Sequence, residues 1–535
     1  MLNSWYEWIM SSSSNKRTYN MEEKAKALYK NTYGNPAFMS PWGVKRFMIN
    51  ADATASGFFY RPIEAYLQTN VWAFYNNTHS NAFGGQMMNL FMNKAKEKIR
   101  QSVRAAPQDK VLFTGNGCTG AIQHVIHMLN LRSPCATLTD KPVVFISEAE
   151  HHSNDLPWRH LPIDLVIIPV DLETGLIHLS KLHRHLKKFA DRKLKLVSVV
   201  AVSNITGVIQ PIDAICVIAH KYGGKVMFDY ATGAPYVPIN MNTHPESGKY
   251  IDIVVLSMHK FLGGPAAPGV LVVKDACCKN DVPFCPGGGT VRFVSDETQT
   301  YSDDIETREN GGTPNIVGCI KAGLCFELKD SLQDFITLRE QWLLRYIQPQ
   351  LTVLVGQTRI ELMNPVGNMH RIPIFSFRVP NIHYNLVVAL MSDLFGIQTR
   401  GGISCCSMYA QKLLGISAEK KAEIQATITR NKGVPAYYGW CRVTFHYTMP
   451  KYMVDYILQA IGFVSMHAQT LQARYVYDPK KNNWRVAGAE AATMESLVEQ
   501  TLDTFAATNT NTYPSEYQLQ KIINDNNHLL VSKKN

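Results

Sequence analysis

From about residue 49 to residue 327 the chain alternates short apolar runs, rich in β-branched residues, with longer stretches of helical period. The runs are Val111-Leu112-Phe113, Val143-Val144-Phe145-Ile146, Leu165-Val166-Ile167-Ile168, Val197-Ser198-Val199-Val200-Ala201-Val202, Val226-Met227-Phe228 and Ile253-Val254-Val255-Leu256. A strand that is apolar at nearly every position is covered on both faces, so the pattern predicts a mostly parallel sheet between layers of helices. In such sheets ligands collect at the carboxyl ends of the strands. The pattern changes over residues 328–486. A long helix around Leu332 to Gln348, a strand at Ile372 to Phe377, a helix from Tyr384 and a strand at Arg442 to Phe445 predict a smaller α+β domain. Residues 1–48 read as an irregular and helical arm with Ser11-Ser12-Ser13-Ser14 as a flexible break. Residues 487–535 read as a peripheral helix followed by a polar tail rich in Asn and Thr. The fold class is thus α/β, with a large domain over residues 49–327 joined to a small one.

Composition narrows the partners. At 535 residues the chain is too long for one ordinary core, which agrees with two domains. A net charge of +11 raises the question of nucleic acid, but the basic residues are scattered and no nucleic-acid motif accompanies them. An anionic small molecule is the better partner. The 11 cysteines lack the spacing of a secreted disulfide scaffold, and no apolar run is long enough to cross a bilayer. Residues 1–17 make a poor signal peptide and a weak organelle presequence, because Lys16 and Arg17 follow the apolar part and Glu7 interrupts it. A reducing intracellular compartment, cytoplasmic by default, is the expectation, with no nucleic acid and no membrane as partner.

The chemistry gathers at strand ends. Asp229 closes one apolar strand, and Lys260 follows the next in Ser257-Met258-His259-Lys260. An amine beside an acid at neighbouring strand ends is what pyridoxal phosphate needs: a Schiff-base partner and a carboxylate for the pyridine nitrogen. An acid at a strand end also serves merely to cap a helix. Thr114-Gly115-Asn116-Gly117-Cys118-Thr119-Gly120 follows a strand and opens a helix, an arrangement for binding phosphate or a plain glycine turn. Glu150-His151-His152-Ser153-Asn154 places an imidazole at a strand end, where it stacks on a flat ring or simply faces solvent; no ligand set at zinc spacing completes it. Asn204, in Ser203-Asn204-Ile205-Thr206-Gly207, is a candidate donor to a phenolate oxygen. Pro286-Gly287-Gly288-Gly289-Thr290 is a loop that either only turns or brings backbone amides to a phosphate across a subunit interface. In Arg400-Gly401-Gly402-Ile403-Ser404-Cys405-Cys406 a cysteine beside an arginine is a candidate nucleophile, against the reading of a structural cysteine pair. Arg442 either forms a bidentate pair with a carboxylate or makes a surface ion pair.

Taken in order, these segments resemble the class V aminotransferase family of fold-type I pyridoxal phosphate enzymes, and within it the cysteine desulfurase and selenocysteine lyase branch. The resemblance runs from about Asn50 to Gln472. Its other anchors are Asp52-Ala53-Thr54-Ala55-Ser56, Asn77-Thr78-His79-Ser80 and Arg308-Glu309-Asn310-Gly311-Gly312-Thr313-Pro314. It implies a seven-stranded-type sheet and the cofactor pyridoxal phosphate. Lys260 becomes the Schiff-base lysine, Asp229 the pyridinium partner, His151 the stacking residue and Asn204 the contact to the cofactor's O3′ oxygen. Cys118, Thr119, Ser257 and His259 become phosphate ligands, with Gly289 and Thr290 reaching in from a second subunit of a homodimer. Arg442, Arg400 and His79 fall to the substrate, and Cys405 stands where desulfurases carry the persulfide cysteine that passes sulfur to an acceptor protein. An aminotransferase, a kynureninase-like lyase and a non-catalytic scaffold on the same fold are the competing readings, the last opposed by intact Lys260, Asp229, Asn204 and His151. Three features depart from the family pattern: Tyr230-Ala231-Thr232 after Asp229, Cys118 where threonine is frequent, and a longer segment between Arg400 and Arg442.

Overall fold

The computed structural model describes residues 12–134, 136–358, 360–363, 370–430, 433–488 and 515–531. Seven strands form the central sheet: β1 (Lys110–Thr114), β2 (Val143–Ser147), β3 (Asp164–Ile168), β4 (Lys195–Val200), β5 (Lys225–Asp229), β6 (Ile253–Ser257) and β7 (Gly269–Val273). Their order is β1-β7-β6-β5-β4-β2-β3. All neighbours are parallel except at β7, which runs antiparallel to both β6 and β1. The strand alternation shows why the runs are continuously apolar. Val143, Phe145, Val197, Val226, Phe228, Val254 and Leu256 belong to one core, while Val144, Ile146, Leu196, Met227, Ile253 and Val255 belong to another on the opposite face. Successive side chains point to opposite faces of a strand, so both faces must be apolar when helices cover both.

The small domain is built on a four-stranded antiparallel sheet, β8 (Glu361–Leu362), β9 (Ile374–Arg378), β10 (Arg400–Gly402) and β11 (Trp440–Thr444), in the order β8-β9-β11-β10. Helix α4 (Ile316–Gln357) joins the domains as one 42-residue element. It runs through the boundary expected at residues 327 and 328. Ile316, Ile320, Phe326 and Ile336 pack in the large core, and Leu343, Ile347 and Leu351 in the small one. A helix with different apolar faces along its length carries no break at which sequence alone marks a boundary.

The described segments near each end of the chain, residues 20–30 and 515–527, pack more closely than expected. Helix α1 (Ser12–Lys30) takes in Ser12, Ser13 and Ser14, so these three serines are helical rather than a break. Ala25 and Leu28 enter the large core and Tyr29 the small one. Helix α8 (Glu516–Val531) lies in the stretch read as a polar tail. Leu519, Ile522 and Ile523 are buried in the small-domain core, and Asn526 accepts from Arg46 Nη2 at 2.9 Å and donates to the Leu394 carbonyl at 2.7 Å. The helix expected directly after residue 487 lies largely outside the described residues.

Candidate active site

The carboxyl ends of β4, β5 and β6 deliver Asn204, Asp229 and Lys260 to one pocket of about 200 Å³, closed on its other side by Arg400, Ser404 and Arg442 of the small domain. Cys118, Thr119, His151, Ser257 and His259 line the same pocket. Ten of the fourteen residues expected at a site thus meet in one place. Cys405 stands beside it: its neighbour Ser404 lines the pocket, and Arg400 Nη2 lies 3.4 Å from the Cys405 sulfur. His79, Gly289 and Thr290 lie outside it, and a Cβ on Gly289 would come within 2.5 Å of His79 Nε2, so the loop and that histidine form one separate cluster.

Helix α3 (Gly117–Met128) opens toward the pocket. The turn needs glycine at 117, where φ is +56° and a Cβ would sit 2.6 Å from Ser257 Oγ. That hydroxyl accepts the Cys118 N–H at 2.9 Å, so strand β6 and the helix start are tied together. Gly117→Ala is expected to destabilise the fold by about 2 kcal/mol through left-handed strain and overlap, read as a lowered midpoint in thermal unfolding.

The electrostatics favour an anionic ligand with a basic ring. Burial raises the Asp229 carboxyl, opposed by the Ala231 N–H, which donates to Asp229 Oδ1 at 2.8 Å, and then by Lys260 and the Cys118 thiol. Burial lowers the Lys260 amine, with Cys118 and Asp229 acting against it, so it is unprotonated more of the time than a free lysine. Arg400 and Arg442 face each other across β10 and β11. Two guanidiniums opposite one another repel, and an anion between them removes the cost. Arg442 is buried mid-strand rather than at the surface: Nη2 pairs with Asp52 Oδ1 at 2.5 Å, Nη1 donates to the Asn204 carbonyl at 3.1 Å, and Nε has no partner among the described residues. Asn204 Nδ2 donates to the Ser404 carbonyl at 2.8 Å, while its buried Oδ1 has no partner among the described residues.

His151 is held as a neutral ring. Its Nδ1 accepts the Ser153 N–H at 3.1 Å, and Ser153 Oγ, 3.0 Å from the same nitrogen, lies 2.7 Å from Thr119 Oγ1. Burial, then the nearby Lys260, His152, Arg400 and Arg442, push its pKa down to about 3. The charged form is thus disfavoured, so nitrogen NMR at pH 5 is expected to show His151 neutral with the proton on Nε2; a charged ring there would contradict the arrangement.

Asp52, Ser153, Thr54 and Ala55 are site residues without an expected role, although all lie inside segments that carried the resemblance. Their positions depend on contacts distant in sequence. Among the described residues no group of three or more His, Cys, Asp or Glu side chains forms a metal site.

Comparison with solved structures places the fold. The apo cysteine desulfurase from Thermococcus onnurineus NA1 superposes with a TM-score of 0.66 at 23% identity, covering 78% of this chain and 95% of that one. The cysteine desulfurase CsdA from Escherichia coli gives a TM-score of 0.61 at 22% identity, with 79% and 94% covered. Among sequences, a probable cysteine desulfurase of Halalkalibacterium halodurans is 30% identical over 333 residues, 61% of this chain and 76% of that one. A cysteine desulfurase of Escherichia coli O6:K15:H31 is 30% identical over 267 residues, which spans 49% of this chain and 61% of the relative's length. The aminotransferase class-V family model matches residues 52–457, through both domains and every wall of the pocket, and the chain belongs to that family.

Proposed function

We propose that this protein is a pyridoxal phosphate-dependent cysteine desulfurase that takes L-cysteine, releases alanine and retains the sulfur as a persulfide on Cys405. The observation that carries the reading is the meeting of Lys260 and Asp229 in one pocket with the Cys405 sulfur at its rim, 3.4 Å from Arg400 Nη2. The relatives named as cysteine desulfurases support it.

The residues present fit the cofactor. Asp229 is a buried acid whose raised pKa suits sharing a proton with a ring nitrogen, and the Asn204 amide nitrogen, which gives one N–H to the Ser404 carbonyl, carries a second N–H for an acceptor in the pocket. Asn204 would meet the ring's O3′ oxygen, His151 its face, and Cys118, Thr119, Ser257 and His259 its phosphate. Pyridoxal phosphate, when bound, supplies an aldehyde that captures amines and a ring that draws an electron pair away from the substrate's α-carbon. Ala231 and Thr232 line the pocket next to Asp229.

Lys260 Nζ, partly unprotonated through burial, takes the proton from the substrate's Cα. Arg442 receives the α-carboxylate, with Asp52 and the Asn204 carbonyl fixing the plane of its guanidinium. The Cys405 sulfur then attacks the substrate sulfur. A sulfur–sulfur bond forms, the substrate's Cβ–S bond breaks, and its electron pair stays on Cβ, which takes a proton to become the methyl group of alanine, while Lys260 Nζ returns a proton to Cα. Arg400 stands ready to pair with negative charge on the Cys405 sulfur. The stored sulfur would leave to an acceptor protein. In the homodimer that goes with this reading, the cluster of Gly289, Thr290 and His79 completes the other subunit's pocket. No described helix is long and apolar enough to cross a membrane.

The test is alanine production from L-cysteine by cofactor-loaded protein with a reductant, run with and without a keto acid. Alanine at the same rate in both is expected; cysteine consumed only with the keto acid, which is converted to its own amino acid, identifies an aminotransferase instead.

A further inference from the structure

Ser404 and Cys405 are consecutive residues in the left-handed region, with φ of +53° and +56°. Residues with side chains avoid that conformation, so a pair persists only where the surroundings hold it. The holding groups come largely from the other domain. Asn204 Nδ2 donates to the Ser404 carbonyl at 2.8 Å, and the His152 backbone N–H donates to the Cys405 carbonyl at 2.7 Å. His152 Nε2 also lies 2.7 Å from Ser407 Oγ, at the first residue of helix α6 (Ser407–Leu413). His152 therefore grips the loop at Cys405 and again two residues beyond it. A serine hydroxyl both donates and accepts, so the second bond survives either tautomer of the ring. His152 does not line the pocket that contains Lys260, and the chemistry proposed above leaves it unused.

We propose that His152 is a positioning residue for Cys405: through its backbone N–H and its bond to Ser407 it holds the left-handed turn that keeps the Cys405 sulfur beside Arg400 at the mouth of the pocket. The inference rests on Cys405 being the sulfur-accepting residue, but the clamp is readable without that activity. The intervening Cys406 is fully buried in a cluster with Trp440 and Tyr409, and Trp440 Nε1 donates to Ser404 Oγ at 3.3 Å, so the small domain gives the loop a floor while Asn204 and His152 grip it from the large domain.

The test compares His152→Ala, Ser407→Ala, the double variant and His152→Gln as holoenzymes, by deuterium exchange of the peptide 403–409 and by the kinetics of alanine release. Each alanine variant is expected to exchange about fivefold faster in that peptide and to lose about fivefold in kcat, the scale of one part-buried hydrogen bond. KM for cysteine and the cofactor absorbance stay within twofold of the parent. The double variant is no worse than either single one, because the two side chains share one bond. Glutamine at 152 restores both readouts, since its amide reaches the same hydroxyl. The proposal is overturned if exchange at 403–409 is unchanged in both single variants, if exchange rises while kcat stays at the parent value, or if glutamine fails to rescue. Should His152→Ala fail to load cofactor, Ser407→Ala, which lies outside the pocket lining, decides the matter by the same readouts. A parent protein that makes no alanine from cysteine defeats the desulfurase reading, while the exchange arm still decides whether the clamp exists.

Discussion

Lys260→Ala is expected to remove alanine formation almost completely, roughly 10⁴-fold or more, as loss of a residue acting directly on the reacting atoms does. The same variant should lose the absorbance of covalently held cofactor while keeping the fold, because the Lys260 side chain makes no hydrogen bond among the described residues. What holds that segment is backbone: the Gly57 N–H donates to the His259 carbonyl at 2.9 Å, and the Phe261 N–H to the Met258 carbonyl at 3.0 Å. Spectrophotometry of the purified variant therefore checks the assignment without any activity measurement. A cofactor spectrum identical to that of the parent would remove Lys260 from its role.

Cys405→Ala is expected to produce the opposite separation: cofactor absorbance at the parent level, with alanine release from L-cysteine lost by about 10³-fold or more, the scale for deleting a nucleophile. The structure gives the reason for the separation. Cys405 lies outside the pocket lining, touching Arg400 with its sulfur and His152 with its carbonyl, so its thiol is dispensable for the groups around Lys260. Removing the sulfur leaves the carbonyl bond and hence the loop in place. Absorbance spectra and alanine assays on the one variant read both halves.

The large domain was legible because its strands are buried on both faces. Phe145 and Ile146, or Phe228 and Met227, go to different cores, and a continuous apolar run is the direct imprint of that. Strand β7 left a weaker mark: Gly269–Val273 follows Lys260 with no intervening long helix, so the alternation of strand and helix fails where the sheet turns antiparallel. Helix α8 was obscured by composition. Among its described side chains the buried ones are three apolar residues and Asn526, and an asparagine that satisfies Arg46 looks in sequence like any other polar tail residue. The site divides in the same way. Lys260, Asp229 and Asn204 could be read because each ends a recognisable strand or turn. The pairing of Asp52 with Arg442 could not, since 390 positions separate them and only the docking of the small domain brings them together. The left-handed backbone at Ser404 and Cys405 likewise follows from groups on the other domain and not from local residue preference.

The central claim is that sulfur leaves cysteine for Cys405. The most direct measurement is a single turnover: cofactor-loaded protein mixed with less than one equivalent of L-cysteine, quenched, and analysed for alanine and for the mass of the peptide carrying Cys405. The account predicts alanine and a peptide heavier by one sulfur atom, in equal amounts. Alanine formed without added sulfur on Cys405, or a keto acid with the amino group kept by the cofactor, would contradict it.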